Sequence, residues 1–312
     1  VLVTGASGHI GGTVARALVR DGHDVVALSR RWTKIPGLAQ SHMIDIGAPG
    51  LTARLAEQPC DAIVHAAASM ATDPHAPSLP LVNALGTQQL LALAELWRVR
   101  AFVYLSSIAV IGTPHELPIT EAHPTAPASA YAASKLYGEQ LTALAAQRGV
   151  AASSLRVTSP IGPGMAAGRI VSVFVERALA GEPLMLAGRG GRRQDFVDVR
   201  DVAAAVLACL AERACGAFNV AAGCSVSNVE LARLCVQVLE SRSEVVFSDR
   251  DDPDEALHWD VSIDRARVQL GYEPRHELRD SMRAVAADAR RRSSAAGQHM
   301  TAPQRTAPRE TP

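Results

Sequence analysis

Short unbroken apolar runs alternate along this chain with longer stretches in which apolar residues return every three or four positions. The runs at 1–3, 24–29, 61–66 and 101–106 have strand length and leave no solvent-facing side, so they predict strands buried on both faces. Periodic stretches at 13–20, 81–99 and 129–148 predict amphipathic helices among them. A steady alternation of this kind implies a parallel sheet covered by helices on both sides. Residues 43–46 make a further short predicted strand, and 112–127 are a loop rich in proline and histidine. Helices are predicted again at 201–213, 226–240, 263–270 and 278–292, while 188–198 is a basic, glycine-rich turn leading into a strand. An acidic loop at 249–255 interrupts this second group. Past residue 292 the periodicity and the large apolar residues disappear, so 293–312 reads as a disordered tail.

The first strand runs straight into Thr4-Gly5-Ala6-Ser7-Gly8-His9-Ile10-Gly11-Gly12 and from there into a helix. Such a turn offers free backbone N–H groups and the positive end of the helix dipole to an anion. In the dinucleotide-binding fingerprint one glycine permits the tight turn, the next lets backbone approach the pyrophosphate, and the last lets helix pack on strand. Gly5, Gly8 and Gly11 hold those places, so the predicted cofactor cradle is Gly5, Ser7, Gly8, His9, Ile10 and Gly11. The second strand ends in Ser29, followed by Arg30 and Arg31. An acidic residue at this point holds the ribose 2′-hydroxyl of NAD, whereas a small residue followed by arginine suits the extra phosphate of NADP. NADP is therefore the preferred cofactor on the sequence, with NAD second; two solvated arginines are the alternative. Ala66, Ala67 and Ala68 keep the exit of another strand slim enough for a cofactor to pass, though an alanine-rich chain also produces such runs by composition alone.

Composition removes several classes of function. A chain of 312 residues, 48% hydrophobic, is long enough for one large α/β domain carrying a smaller lobe. Its formal net charge is zero, without the basic excess of a nucleic-acid binder. No apolar run approaches the roughly 20 residues that cross a bilayer. Five cysteines without a C-x-x-C pair read as reduced thiols, and no metal site is expected. Because the chain starts inside a strand, no signal peptide is expected, and the cytoplasm is the expected location.

Lys34 and Lys135 are the only lysines. Lys135 follows Tyr131 by four residues on a predicted helix, so the two side chains share a face. An ammonium beside a phenol favours the phenolate and lowers a pKa that starts near about 10, which makes a proton carrier. A surface tyrosine stacked on a lysine stem has the same spacing. The preceding strand, however, ends in Ser106-Ser107, at the carboxyl edge where open α/β sheets bind ligands.

Taken together, Thr4-Gly5-x-x-Gly8-x-x-Gly11, Ser106-Ser107 and Tyr131-x-x-x-Lys135 resemble the extended short-chain dehydrogenase/reductases, the NAD(P)-dependent epimerase/dehydratase family. Asp45-Ile46, Asn83 to Thr87, Ser159 to Gly164, Asp195 to Ala203, Phe218 to Val220 and Leu270 to Pro274 extend the resemblance over about residues 1 to 290. It implies an α/β fold, a Rossmann-type doubly wound parallel sheet with a smaller C-terminal α/β substrate lobe. The expected division is 1–160 with 195–222 returning to it, against a lobe of 161–194 and 223–292. It also implies that Asp45, Ile46, Asn83, Pro160 and Ile161 join the cofactor cradle, together with Tyr131 and Lys135. Carried over, Tyr131 exchanges a proton with the substrate, Lys135 tunes it and holds the nicotinamide ribose, and Ser107 hydrogen-bonds the reacting oxygen. Relatives commonly pair through the helices at 81–99 and 129–148, so a homodimer is expected there.

The resemblance also narrows the reaction. Relatives that eliminate water carry Asp-Glu after the hydroxyl residue, and the 3,5-epimerase/reductases place a cysteine first; here those positions are Ile108-Ala109. What remains needs one hydride and one proton. Ser159 stands where relatives often have asparagine, and Gln194 where they often have a diphosphate-gripping arginine, with Arg192 and Arg193 beside it as substitutes. Ser107, Ser159, Arg192 and Gln194 are thus the candidate substrate residues for a small-molecule substrate. The expectation is an NADPH-using ketoreductase; a sugar-nucleotide 4-epimerase and a non-catalytic NADP(H) sensor are the alternatives.

Overall fold

In the computed structural model, which describes residues 1–300, the chain starts with β1 (Leu2–Thr4), α1 (His9–Arg20), β2 (Val26–Ser29), β3 (Gln40–Met43) and α2 (Leu51–Leu55). Next come β4 (Ala62–His65), α3 (Gly86–Trp97), β5 (Ala101–Ser107), α4 (Ala130–Gln147), β6 (Ala152–Val157) and β7 (Ser159–Ile161). The chain continues through α5 (Ile170–Ala180), β8 (Leu184–Leu186), β9 (Arg193–Asp198), α6 (Val199–Glu212) and β10 (Gly216–Val220). It ends with β11 (Ser225–Ser227), α7 (Asn228–Val238), β12 (Val245–Phe247), α8 (Asp264–Leu270) and α9 (Leu278–Met300).

Seven strands form one sheet in the order β10-β6-β5-β4-β1-β2-β3, and every pairing in it is parallel. The chain winds outward from β1 to β3, then returns to β4 on the other side of β1. That reversal opens a crevice at the carboxyl ends of β1 and β4, where a Rossmann-type sheet binds its ligand. Both faces are covered, as the unbroken apolar runs require. On β5, Val103 and Leu105 point into the layer containing Val14 and Leu18 of α1 and Val202 and Val206 of α6. Phe102 and Tyr104, the alternate residues, point to the opposite layer with Leu90 and Leu93 of α3. A third core joins α5, α7 and α9 around Leu184, Leu186 and Phe196. Beside it lie a three-stranded sheet, β11-β9-β7, and the pair β12-β8.

Several boundaries differ from the sequence expectation. The strand expected at 43–46 is β3 at Gln40–Met43 instead, pairing with β2, while Ile44 and Ile46 turn into the core beyond its end. The helix expected at 81–99 begins as a π-helical segment, Leu79–Leu85, before α3. Of the segment 195–222, α6 and β10 join the large sheet and its helical layer, whereas β9 pairs with β7 and β11. α8, expected in the lobe, instead sends Ala266 and Leu270 into the core shared with α1 and α6. α9 continues past the Arg292 at which a tail was expected. The remainder of that tail, 301–312, lies outside the described residues.

One buried ion pair ties α4 to the sheet. Arg156, the penultimate residue of β6, meets Glu139 of α4 at 2.9 Å, with both side chains under a tenth exposed. Ser106 donates to the same carboxylate at 2.6 Å, and Arg156 also donates to the Glu121 carbonyl at 3.1 Å. Removing one member of such a pair leaves the other charged, buried and alone. Glu139→Ala is therefore expected to lower unfolding free energy in urea by about 3–5 kcal/mol. Replacing both members, as Glu139→Leu with Arg156→Met, is expected to recover most of that loss; an unchanged midpoint in Glu139→Ala would show the pair to be dispensable.

Candidate active site

The glycine turn is closed down on itself so tightly that side chains are excluded. Gly5 has φ of +70°, and a Cβ there would lie 2.8 Å from the Ala67 amide nitrogen. At Gly11 a Cβ would strike the Gly5 carbonyl. The Gly8 N–H donates back to that carbonyl at 2.8 Å, and no side chain caps the start of α1. The turn and helix therefore present the N–H groups around Ser7, His9 and Ile10 to the crevice. A cavity of about 410 Å³ adjoins the turn, lined among others by Ser7, His9, Arg16, Arg31 and Lys34. A cradle that a Cβ would fill, open helix N–H groups and cationic walls fit a dinucleotide pyrophosphate.

His9 and the end of β2 depart from the simple expectation. Both His9 ring nitrogens are buried without a hydrogen-bond partner, against the backbone of Pro163 and Gly164, and burial holds the ring below the usual histidine pKa. Ser29 turns inward: its hydroxyl donates to the Arg31 carbonyl at 2.6 Å and lies 2.8 Å from the Thr33 hydroxyl. It shapes the loop rather than facing the cavity. Arg30 and Arg31 are both exposed, but only Arg31 lines the cavity. Asp45 accepts the Gly47 N–H at 2.9 Å in an Asx turn, while Ile46 is a core residue whose carbonyl receives Gln89.

A directional chain of hydrogen bonds joins the cradle to α4. The Ala67 N–H donates to the Thr4 hydroxyl at 3.1 Å, and that hydroxyl lies 2.8 Å from His65 Nδ1. His65 Nε2 lies 2.9 Å from Thr87 Oγ1, which donates its own proton to the Asn83 carbonyl at 2.7 Å. With the threonine proton committed, Nε2 must donate and Nδ1 must accept. His65 is wholly buried and neutral, its pKa pushed well down by desolvation. The Asn83 side chain grips Ser69 from both ends, accepting its N–H at 2.7 Å and donating to its carbonyl at 2.9 Å. It also donates to Ser134 Oγ on α4 at 2.8 Å. The wide π-helical turn around Asn83 points this side chain inward, which fits the association of such turns with working sites. Ala66, Ala67 and Ala68 are half-buried between the grip and the glycine turn.

On α4, Tyr131, Lys135 and Glu139 lie along one face. Ser107 ends β5, accepts the Ala109 N–H at 3.2 Å and keeps its own proton to donate. The Tyr131 hydroxyl faces Ser107 closely enough for the serine to favour the phenolate, without a hydrogen bond of ordinary geometry closing between them. Burial nevertheless pushes the Tyr131 pKa up, and the charge of Arg169 opposes that rise. The expected lowering by Lys135 is not seen. Lys135 instead lies 4.2 Å above the Tyr104 ring, buried, with its pKa brought down to about 7 by desolvation against the partial support of Glu139. The charge of Lys135 is felt at His65 and not at the Tyr131 hydroxyl. Arg169, at the start of α5, lies outside the sequence motifs.

The lobe residues are arranged for holding the lobe together. Ser159 and Pro160 are half-buried on β7, and Ile161 is buried in the third core, so its side chain does not face the cradle. Gln194 donates to Asn228 at 3.3 Å, Arg192 pairs with Asp254 at 2.9 Å, and Arg193 pairs with Glu230 at 3.1 Å. Both arginines offered as substitutes for the missing one are thus neutralised by carboxylates. No helix among the described residues is long and apolar enough to cross a membrane, and none of the described His, Cys, Asp and Glu cluster as metal ligands.

Sheet order and glycine cradle together define a Rossmann-type fold with a dinucleotide cradle at its switch point. The NAD dependent epimerase/dehydratase family model matches residues 1–221, and the chain belongs to that family. It is 32% identical to a UDP-glucose 4-epimerase of Mycolicibacterium smegmatis, over 90% of this chain and 95% of that one. The solved UDP-glucose 4-epimerase of Thermus thermophilus, in complex with NAD, is similar at 26% identity with a TM-score of 0.81, covering 93% of this chain and 98% of that one. A UDP-glucose 4-epimerase of Thermotoga maritima shares the fold with a TM-score of 0.84 at 24% identity, over 94% and 99% of the two chains.

The state of Lys135 makes a measurable claim. Its folded pKa of about 7 lies below the ordinary lysine value of 10.5, so between those limits the unfolded chain binds a proton that the folded chain does not. Stability attributable to this residue therefore rises with pH across that window, by up to about 1.4 kcal/mol per pH unit. Thermal melts of wild type and Lys135→Met without added nucleotide are expected to converge as pH climbs from 7 to 10, the variant being the more stable at the lower end. Parallel curves would show an ammonium that stays charged.

Proposed function

We propose that this enzyme is a sugar-nucleotide 4-epimerase that works with NAD. The observation that carries the reading is the single hydroxyl pair, Tyr131 and Ser107, facing one cleft beside the cradle, with Ile108 and Ala109 where an elimination would need acids. Such a site can move one proton, and no more. Full-length similarity to UDP-glucose 4-epimerases supports inversion over the net reduction expected from sequence.

Bound NAD supplies a hydride acceptor and, in the return step, a hydride donor. Tyr131 takes the proton of the sugar 4-hydroxyl as that carbon is oxidised and gives it back after the ring has presented its other face. Ser107, with its Oγ anchored on the Ala109 N–H, donates to the same oxygen throughout. Lys135 stands one turn along α4, where a ribose hydroxyl within reach would restore its charge and let it stabilise the phenolate. The Asn83 grip fixes the Ala66 to Ser69 wall.

Incubation with UDP-glucose is expected to yield UDP-galactose with no net change in nicotinamide absorbance. Tyr131→Phe is expected to lose roughly 10²–10⁴-fold in turnover while NAD still binds. A second reading, an NADPH-using reductase, is favoured by Arg16, Arg31 and Lys34, which line the cavity and make no ion pair among the described residues. Stoichiometric NADPH oxidation by a ketone, with no inversion of any UDP-hexose, would establish it in place of the epimerase.

The same proposal includes a homodimer through the π-helical segment, α3 and α4, whose outer surfaces expose Leu81, Leu96, Tyr137 and Leu144. Leu81→Asp with Leu144→Asp is expected to convert a sedimenting dimer into a monomer; a wild type that sediments as a monomer would exclude the arrangement.

A further inference from the structure

Tyr104 stands in the middle of β5, and neither the sequence motifs nor the family match gives it a task. It is buried between sheet and helix. On the sheet its partner across β4 is His65, with ring centroids 5.4 Å apart, and on the helix side Lys135 Nζ lies 4.2 Å from the centre of its ring. Room for the ring is cut into α4 itself: a Cβ at Gly138 would strike the Tyr104 hydroxyl and the ring carbon that bears it. Glycine is a poor residue for the inside of a helix, and here the ring requires it. The hydroxyl, by contrast, is buried without a partner; Thr87 faces it, yet no hydrogen bond of ordinary geometry closes between them. What Tyr104 offers its surroundings is the face of its ring.

That face is negative, and it attracts a cation within about 6 Å of its centre most strongly where water is excluded. Lys135 is buried and makes no ion pair among the described residues. Of the ionisable groups around it, Glu139 on its own helix is engaged by Arg156 and Ser106, His65 on β4 is neutral, and Tyr131 is a phenol held in its protonated form by burial. We propose that Tyr104 is a positioning residue, whose ring face holds the Lys135 ammonium in place and favours its charged form, so that the charge is ready for a bound dinucleotide. This deepens the part given to Lys135 in the proposed function. Burial brings the lysine down to about 7, and without the ring it would titrate lower still.

Lys34 and Lys135 are the only lysines, so lysine labelled with carbon-13 at Cε gives two NMR signals, which Lys135→Met assigns. In the full chain without nucleotide, the Lys135 signal is expected upfield of the Lys34 signal because it lies over the ring. Tyr104→Phe is expected to leave its position and its titration midpoint nearly unchanged, since the hydroxyl has no partner. Placing 3,5-difluorophenylalanine and then 3,4,5-trifluorophenylalanine at position 104 keeps the ring and withdraws charge from its face. The Lys135 midpoint is then expected to fall stepwise, by about one pH unit in all, while Lys34 stays where it is. Calorimetric affinity for NAD, measured above the midpoint, is expected to fall by up to about tenfold along the same series, because tenfold less of the lysine is charged. A midpoint or an NAD affinity that stays put from phenylalanine to its trifluoro form would overturn the assignment, as would a Lys135 signal with no upfield displacement. None of these readings depends on which sugar turns over, so the epimerase reading stands or falls separately.

Discussion

A helix that carries a tyrosine, a lysine and a glutamate on its inward face needs a directional contact to set its position against a sheet. The Glu139 carboxylate supplies that contact, shared between Arg156 of β6 and Ser106 of β5. Because these two strands are neighbours inside the sheet, the bond fixes both the height and the rotation of α4. Lys135 is then forced over the Tyr104 ring, one turn nearer the cleft, and Tyr131 emerges beside Ser107 a turn further on. The ionisable groups form a gradient along one helix: a paired charge at the buried end, a desolvated amine in the middle and a phenol at the mouth. Breaking the pair would loosen all three positions together, since neighbours on a helix face share one set of packing contacts.

Much of this arrangement is legible in the sequence, for reasons that can be named. A glycine turn between an apolar strand and a helix has few other uses, and the parallel sheet follows from strands with no polar side. Strand β6 escapes the same logic because its segment, ASSLRV, buries the polar residues Ser153, Ser154 and Arg156, the last of them through Glu139 and the Glu121 carbonyl. At the sheet edge the error runs the other way. Ile44 and Ile46 suggest a strand at 43–46, yet the edge strand itself is polar, QSHM, and those isoleucines are buried past its end. Ser29 reads as a cofactor contact by position, but a hydroxyl next to a turning backbone finds the Arg31 carbonyl first.

The chemistry of the site is less legible than its parts. Four-residue spacing correctly puts Tyr131 and Lys135 on one face, but it carries no information on how far each is desolvated. Burial raises one pKa and lowers the other, so the electrostatic partnership expected of the pair is weak in the chain alone. Substitutions at 159 and 194 suggest net reduction, whereas similarity along the whole chain supports inversion, because anchoring of a substrate depends on the sum of charges around a cleft and not on two motif positions.

Along the hydrogen-bond string from Ala67 through Thr4, His65 and Thr87 to Asn83, every hydroxyl rotor and the imidazole tautomer has a single arrangement that satisfies all the donors. The string therefore behaves as a one-way series in which no member can be reversed alone. Its ordering entropy is lost when the chain folds. The wall against which a dinucleotide would lie, and the serine on α4 to which Asn83 is tied, are therefore already set before any ligand arrives. A wall prepared in that way need not be rebuilt each time a ligand binds, so the ordering cost falls on folding and not on binding.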